Sequence, residues 1–483
     1  MKAPCQETEE RRDPGAAGRD SGTKVFRRGR GRLVGDVSEG AYIRVTGRVC
    51  EVTGLTVVAE GLPLPVGSLC HIETAQGARI AAQVVGIRGD RAALMTLHEP
   101  LGISAGDRVT GTAGLQYVAV GQRMVGSILD GLGRPIGGYQ DFPVESHYPV
   151  QGDAPPPLQR EAIHEALPTG IRSIDALHTL GRGQRMGIFA GTGVGKSVLM
   201  GMIARATSAD VVVVGLIGER GREVGDFLRK DLGDEGLARS VVVVSTSQES
   251  PVLRVRAGFV ATAVAEYFRD QGAQVLLLMD SVTRIAMAQR QIGVSAGEPP
   301  TTKGYPPSVF DLLPKLMERS GKTARGSITG LYTVLVEGDD ISEPISDAVR
   351  GILDGHLWLS RGLANRGHYP AVSPLESISR VMPDVTDVDH QQAAAEIRRV
   401  LAVWTDAEDL VNVGAYVPGA SPEFDVAVRM KPAIDGFLRQ SRDDAAEWSD
   451  TRDRLMKLAS AIRYCREGTA DKKGTKGRRD EGT

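Results

Sequence analysis

The sequence predicts an α/β protein in three folded parts: a small N-terminal β-barrel, a central domain on a mainly parallel sheet, and a C-terminal helical domain. Three textures along the chain predict it. Short β-branched runs broken by Gly- and Asp-rich turns come first, near-continuous apolar runs alternating with helix-like segments come next, and helix-like segments without strands close the chain. A length of 483 residues agrees, being too great for one ordinary domain and enough for about three.

Residues 1–33 are polar, charged and Gly-rich, and "RDPGAAGRDSG" interrupts any helix, so they read as a disordered basic arm. Over 34–115, runs such as "YIRVTGRVCEVTGLTVVAEG" and "ARIAAQVVGIRGDRAALMTL" place strands about ten residues apart, the spacing of a small barrel. An open sheet packed on the next domain is the alternative. The stretches "SILDGLGRPIGGYQDF" and "GDAPPPLQR" read as a connector. The central domain is expected over 116–385. There "RMGIFA", "DVVVVGLIG", "SVVVVST", "QVLLLMD" and "LYTVLVEG" are apolar enough to be strands buried on both faces. A helical domain is expected over 386–466, and a disordered basic tail over 467–483.

A formal net charge of −2 gives the whole chain no strong pull on polyanions. Only the ends are basic, in "KVFRRGRGR" and "KKGTKGRR", which read as solvated tails or as contacts for anionic lipid, nucleic acid or an acidic partner. Cys5, Cys50, Cys70 and Cys465 form neither a dense framework nor close metal-ligand pairs, which suits a reducing cytoplasm. The N-terminal residues lack the apolar core of a signal peptide, and no run approaches the ~20 apolar residues of a membrane span.

The chemistry concentrates at "FAGTGVGKSVLMG". A strand leads into a Gly-rich loop and a helix opens at Lys196, the context of a phosphate-binding loop. Ala190, Gly191, Thr192, Gly193, Val194 and Gly195 offer backbone N–H groups to phosphate oxygens, and Val198 continues the helix behind them. Lys196 is expected to reach the β and γ phosphates, and Ser197 to ligate Mg²⁺. Ala190 stands where the motif usually has Gly, and a small residue suffices there. Asp280 ends an apolar strand and is a second expected Mg²⁺ residue. Glu219, with Arg220, Arg222 and Glu223 after it, follows another strand. Carboxyl ends of strands are where α/β sheets hold ligands, although a solvated charged loop has the same composition.

The segments "GRGQRMGIFAGTGVGKS", "GERGREV" and "MDSVTRIAMAQRQIGVSAGEPPTTKGYPPSVFDLLPKLMERSG" resemble the rotary ATP synthase catalytic subunit superfamily, and more narrowly the protein-export ATPases of the bacterial flagellum and of type III secretion. The resemblance spans about residues 35–460. It implies a RecA-like P-loop ATPase domain at the centre, with ATP and Mg²⁺ as cofactors. It makes Glu219 the carboxylate that activates water, followed by Arg220, and makes Arg284 a phosphate-side arginine. In "GHYPAVSPLESISR" it makes Tyr369 the aromatic against adenine and Arg380 an arginine finger from a neighbouring subunit; Tyr416 is a second aromatic at the base pocket. A core role for Tyr369 and a surface role for Arg380 are the alternatives.

It also implies a homohexamer with active sites between subunits, in a cytoplasmic protein peripheral to the inner membrane. The implied partners are a stator-like regulator dimer, a central coiled-coil stalk, the membrane export gate and chaperone–cargo complexes, with possible contact to anionic lipid. One chain carrying both Glu219 and Arg380 predicts six competent sites in such a ring. The C-terminal domain lacks a dense acidic run, which favours export over rotary synthesis. The sparse aromatics of the barrel disfavour nucleic-acid binding. The run "EGDDISEPISDAVRGILDGHLWLSRGLANRGHYPAVSPLESISRVM" leans toward the flagellar branch, with an injectisome ATPase as the alternative.

Overall fold

The computed structural model describes residues 44–112, 116–139, 141–336, 338 and 343–476. The arm expected over 1–33 lies outside them.

Six antiparallel strands close into a barrel. Arg44–Thr53 pairs Thr56–Glu60, and the order continues through Arg91–Thr96, Arg79–Arg88, Leu69–Glu73 and Arg108–Thr112, which returns to Arg44–Thr53. The open-sheet alternative is thereby excluded. Alternate residues point inward, as the two-residue strand period requires, and Val57, Ala59, Cys70, Ile72, Val84 and Leu94 fill the interior. Register shifts at Val49/Glu51 and Val84/Gly86 are β-bulges, which bend strands toward closure.

The central sheet has nine strands among the described residues. Its order is Ile378–Ser379, Gly355–Leu359, Arg185–Ala190, Ser327–Leu335, Gln274–Asp280, Val211–Ile217, Ser240–Ser245 and Ile128–Leu129, with Gly321–Lys322 paired on Ser327–Leu335. The first pairing and the Gly321–Lys322 pairing are antiparallel; the others are parallel. Helices Pro251–Asp270, Val282–Ala296 and Pro307–Met317 contribute to one apolar core, and helix Lys196–Ala206 to another. The expected apolar runs all form strands because a parallel strand covered on both faces has no polar side to show.

The connector does more than connect. Ile128–Leu129 adds an edge strand to the central sheet, and Tyr117–Val120 pairs antiparallel with Ser146–Pro149. A two-residue strand is too short to display a period. The tail also differs from expectation. Helix Trp448–Lys476 runs through residues expected to be disordered, and only 477–483 of that tail fall outside the described residues. Extending an existing helix is far easier than nucleating one, and no Pro interrupts this stretch.

Helices Val388–Asn412, Pro422–Leu438 and Trp448–Lys476 pack on one another and on Ala176, Leu177 and Met382. Arg172 fastens this bundle to the central domain. Its Nε donates to the Phe437 carbonyl at 2.9 Å, its Nη2 to the Arg439 carbonyl at 2.6 Å, and its Nη1 pairs with Asp444 at 2.9 Å.

Candidate active site

Strand Arg185–Ala190 ends under a loop that turns on two left-handed glycines, Gly193 at φ 79° and Gly195 at φ 94°. A side chain at Gly195 would be strained there, and its Cβ would lie 3.4 Å from the Tyr369 ring. Helix Lys196–Ala206 starts directly after Gly195, so the unpaired N–H groups of its first turn open onto the loop. Ala190 and Val194 are buried, Val198 is half-buried, and Thr192, Gly193 and Ser197 are exposed. Gly191 is buried beneath the turn. Arg361 donates to the Thr192 carbonyl at 3.2 Å and so braces the loop from outside.

Strand order brings three charges together. Lys196 Nζ lies 2.5 Å from Asp280 Oδ1 and 3.8 Å from Glu219 Oε1. Asp280 ends strand Gln274–Asp280, one strand removed from Arg185–Ala190. The intervening strand contributes Thr333, whose hydroxyl donates to Asp280 Oδ1 at 2.7 Å. Glu219 stands two residues past strand Val211–Ile217, after a turn at Gly218 with φ 76°. A Cβ at Gly218 would fall 2.8 Å from the Arg284 side chain, so glycine there lets Arg284 lie close. Arg284 clamps Glu219 with both arms, Nε to Oε1 at 3.1 Å and Nη2 to Oε2 at 3.2 Å. Ser281, the N-cap of helix Val282–Ala296, fixes where Arg284 begins.

Burial, followed by the negative charge of Asp280, pushes the Glu219 carboxyl above its ordinary value; Lys196 and Arg284 pull the other way. A buried carboxylate with a raised pKa, facing a cationic phosphate loop, is equipped to take a proton from water.

The remaining expected residues divide. Arg220 is exposed and pairs with Glu223 at 3.6 Å, beside the cluster and turned toward its own helix. Tyr369 is 45% exposed and rests against Gly195, so it is no core aromatic. Its carbonyl accepts from the Gln440 backbone N–H at 2.9 Å. Tyr416 is held by the helical domain: its hydroxyl donates to Asp425 Oδ1 at 2.5 Å, and burial with that bond pushes its pKa to about 12.

Arg380 is the most distant. Its backbone N–H bonds the Asp354 carbonyl, and among the described residues its guanidinium hydrogen-bonds only the Leu353 carbonyl, at 3.5 Å. Registers fix the separation. Ala190 sits opposite Leu359, whereas Ser379 sits opposite Gly355. Leu359 and Gly355 are four residues apart, so Arg380 lies roughly 13 Å or more down the sheet from the phosphate loop. The phosphate loop, Glu219 and Asp280 occupy the carboxyl end of the parallel strands; Arg380 occupies the amino end.

Thr333, Arg361 and Gln440 escape sequence reasoning. Thr333 alone leaves a trace, a polar residue inside the apolar run "LYTVLV".

Comparison with known proteins gives the same three parts. The nucleotide-binding domain of the ATP synthase alpha/beta family matches residues 170–379, and the beta-barrel domain of that family matches 49–113. The T3SS EscN ATPase C-terminal domain matches 386–457. A flagellum-specific ATP synthase of Pseudomonas aeruginosa is 50% identical over 419 residues, covering 86% of this chain and 93% of its own. A type 3 secretion system ATPase of Xanthomonas euvesicatoria is 49% identical over 413 residues, covering 85% and 93%. The solved structure of the assembled ATPase EscN from enteropathogenic E. coli superposes with a TM-score of 0.79 at 40% identity, covering 86% of this chain and all of that one.

Proposed function

The chain belongs to the family of flagellum-specific ATP synthases and type 3 secretion system ATPases, and on that footing we propose that it hydrolyses ATP to assist flagellar protein export, at sites shared between subunits of a homohexamer. The observation that carries the shared site is the placement of Glu219 and Arg380 at opposite ends of one sheet. A finger must touch the γ-phosphoryl group, and Arg380 cannot touch its own. A second copy supplies it.

Within one site, the loop 190–195 and the first turn from Lys196 bind the phosphates, with Ser197 and Val198 in that turn. Tyr369 stacks on the base, with Tyr416 as the second aromatic at the base pocket. Asp280 and Ser197 offer the hard oxygen donors that Mg²⁺ takes beside phosphates and water. Lys196 and Thr333 both bond Asp280 Oδ1, which leaves Oδ2 for the cation. The ion neutralises phosphate charge when bound. Glu219, held by Arg284, accepts the proton of the attacking water. Lys196 and the arginines, Arg220 among them, balance the charge on the departing phosphate.

Mixing tests the shared site. Glu219→Gln chains mixed with Arg380→Ala chains should regain hydrolysis, because some interfaces pair an intact Glu219 with an intact Arg380. No recovery at any ratio overturns it.

The partners we propose follow the family. The solved structure of EscN in complex with its central stalk EscO is 40% identical to this chain at a TM-score of 0.79. A coiled-coil stalk, a regulator dimer, the export gate and chaperone–cargo complexes are the corresponding partners here, with peripheral placement at the inner membrane and anionic lipid for the basic ends. Among the described residues no helix is long and apolar enough to cross a membrane. The type 3 secretion relatives are nearly as similar as the flagellar ones, so an injectisome role is the second reading. Lys196→Ala in a flagellated source organism separates them: lost swimming supports flagellar export, and unimpaired swimming with lost effector secretion supports the second.

A further inference from the structure

A cavity of about 700 Å³ opens between the barrel and the central domain, away from the phosphate loop. Barrel residues Gln83 and Val85 form one wall; Val252, Phe259 and Leu312 form much of the other. One charged side chain in it is out of place. Arg256 lies on helix Pro251–Asp270, is 7% exposed, and lines the cavity. Its Nε has no hydrogen-bond partner among the described residues. The charge that most favours it is Asp130, but Asp130 already accepts from Arg134 Nε at 2.8 Å and from two backbone N–H groups. Burial pushes Arg256 down to about 10, so it still carries its charge at neutral pH.

Buried arginines are ordinarily paired, because an unmatched buried charge is costly. A second arginine beside the same helix shows the ordinary case. Arg319 is fully buried and paired with Glu266, and its Nη1 donates to the Val150 carbonyl at 2.6 Å. Arg256 differs in having a cavity in place of a partner. The cavity is of ligand size and mostly apolar. Its lining also carries Asp153, Lys315, Asp311 and Glu318, but Lys315 pairs with Asp311, and Glu318 with Arg160 and Arg185, which leaves Arg256 as the lining cation without a carboxylate on it among the described residues.

We propose that this cavity is a second ligand site, separate from the nucleotide site, that takes a small oxyanion on Arg256 with an apolar body against Val252, Phe259 and Leu312. The guanidinium fork matches a carboxylate or a phosphate, and the apolar walls favour a carboxylate on a ring or short hydrocarbon. A ligand there touches both barrel and central domain, so it stiffens their junction.

Benzoate and inorganic phosphate are the probes, added to the full chain with ADP and Mg²⁺ saturating throughout so that the phosphate loop is not counted. Arginine-selective dicarbonyl labelling read by mass spectrometry should show Arg256 protected by benzoate, and more weakly by phosphate. Calorimetry should show Arg256→Gln weakening benzoate by about tenfold or more, the loss of a charge-assisted hydrogen bond. Arg256→Lys should retain part of the binding. Protection by phosphate but not by benzoate overturns the apolar half of the proposal. Equal binding by wild type and Arg256→Gln, or no protection of Arg256 by either probe, overturns all of it. If Arg256→Gln does not fold, the labelling of the wild-type chain decides alone.

Discussion

The two ends of the central sheet hold their charges in different ways. At the carboxyl end, Lys196, Asp280, Glu219 and Arg284 form one linked cluster with contacts of 2.5–3.8 Å, and the two carboxylates are almost fully buried. At the amino end, Arg380 stands exposed, and among the described residues its guanidinium hydrogen-bonds only the Leu353 carbonyl. The first end is pre-assembled by one chain; the second waits for something outside it. A buried cluster gains strength from low dielectric, but it can be built only where strands converge. An exposed arginine costs little to maintain and can serve a neighbour. With Arg380 as the proposed finger, placing the two apart makes hydrolysis depend on assembly.

Removing the exposed half should produce the largest effect. Arg380→Ala is expected to lower ATP turnover by about 10³- to 10⁵-fold, the usual value of an arginine finger. Nucleotide affinity and fold should stay near wild type, because among the described residues the side chain hydrogen-bonds only a carbonyl. Steady-state turnover beside equilibrium ADP binding checks this. Unchanged turnover would break the contrast outright.

Glu219→Gln should cost about 10²- to 10⁴-fold in turnover, the range of a general base. Its pH dependence sharpens the point. The active form is the anion, so wild-type turnover should fall as pH drops through the raised Glu219 value. Stability should move the opposite way. A carboxyl whose folded pKa is raised contributes stability that is fully present below its unfolded pKa and is lost as pH rises through the folded one. Glu219→Gln should therefore melt no lower than wild type at neutral pH and lose that margin in acid. Thermal melts at both pH values test it; a variant markedly less stable at neutral pH would show that the Arg284 clamp outweighs burial.

Thr333→Val should be milder. It removes one hydrogen bond to Asp280 and leaves strand packing intact. Turnover should fall about tenfold, with a higher Mg²⁺ requirement, since a bond to a charged group is worth ~1.5 kcal/mol or more. An unchanged Mg²⁺ dependence would mean that Lys196 alone orients Asp280.

Much of this site is written in short local patterns. Lys196 and Ser197 follow a strand and open a helix, so local sequence suffices to find them. Asp280 and Glu219 are visible because apolar runs end just before them. Arg380 and Tyr369 lack any such local mark, and only family resemblance singles them out. Thr333 and Gln440 depend on which strands and helices become neighbours, and local pattern does not determine that. Ile128–Leu129 reads as connector in sequence because pairing in a sheet, not composition, makes it a strand. Arg256 leaves only a faint trace in sequence, a cation within the largely apolar run "VLRVRAGFVATAVAEYF", and its isolation appears only once the barrel is in place.

The smallest predicted effect probes how the helical bundle reaches the carboxyl end. Gln440 follows helix Pro422–Leu438 and its backbone N–H holds the Tyr369 carbonyl. Its side chain anchors that hold. Oε1 accepts from the Arg172 N–H at 3.0 Å, and Nε2 donates at 2.7 Å to the carbonyls of Gly170 and Asp444. Gly170 in turn packs against Ala206, the last residue of the phosphate-loop helix. One side chain thus joins the far end of that helix to the residue proposed to hold the base. Gln440→Leu should loosen Tyr369 without touching Glu219 or Asp280. The expected result is a KM for ATP raised about fivefold, the equivalent of one ordinary hydrogen bond of ~1 kcal/mol, with kcat little changed. A general loss of structure would lower kcat and melting temperature together, whereas a positioning role moves KM first. Gln440→Glu, which keeps the acceptor for Arg172 and loses the donor, should fall between wild type and the leucine variant. A fall in kcat with KM intact would instead mean that the bundle acts on the chemical step and not on the base.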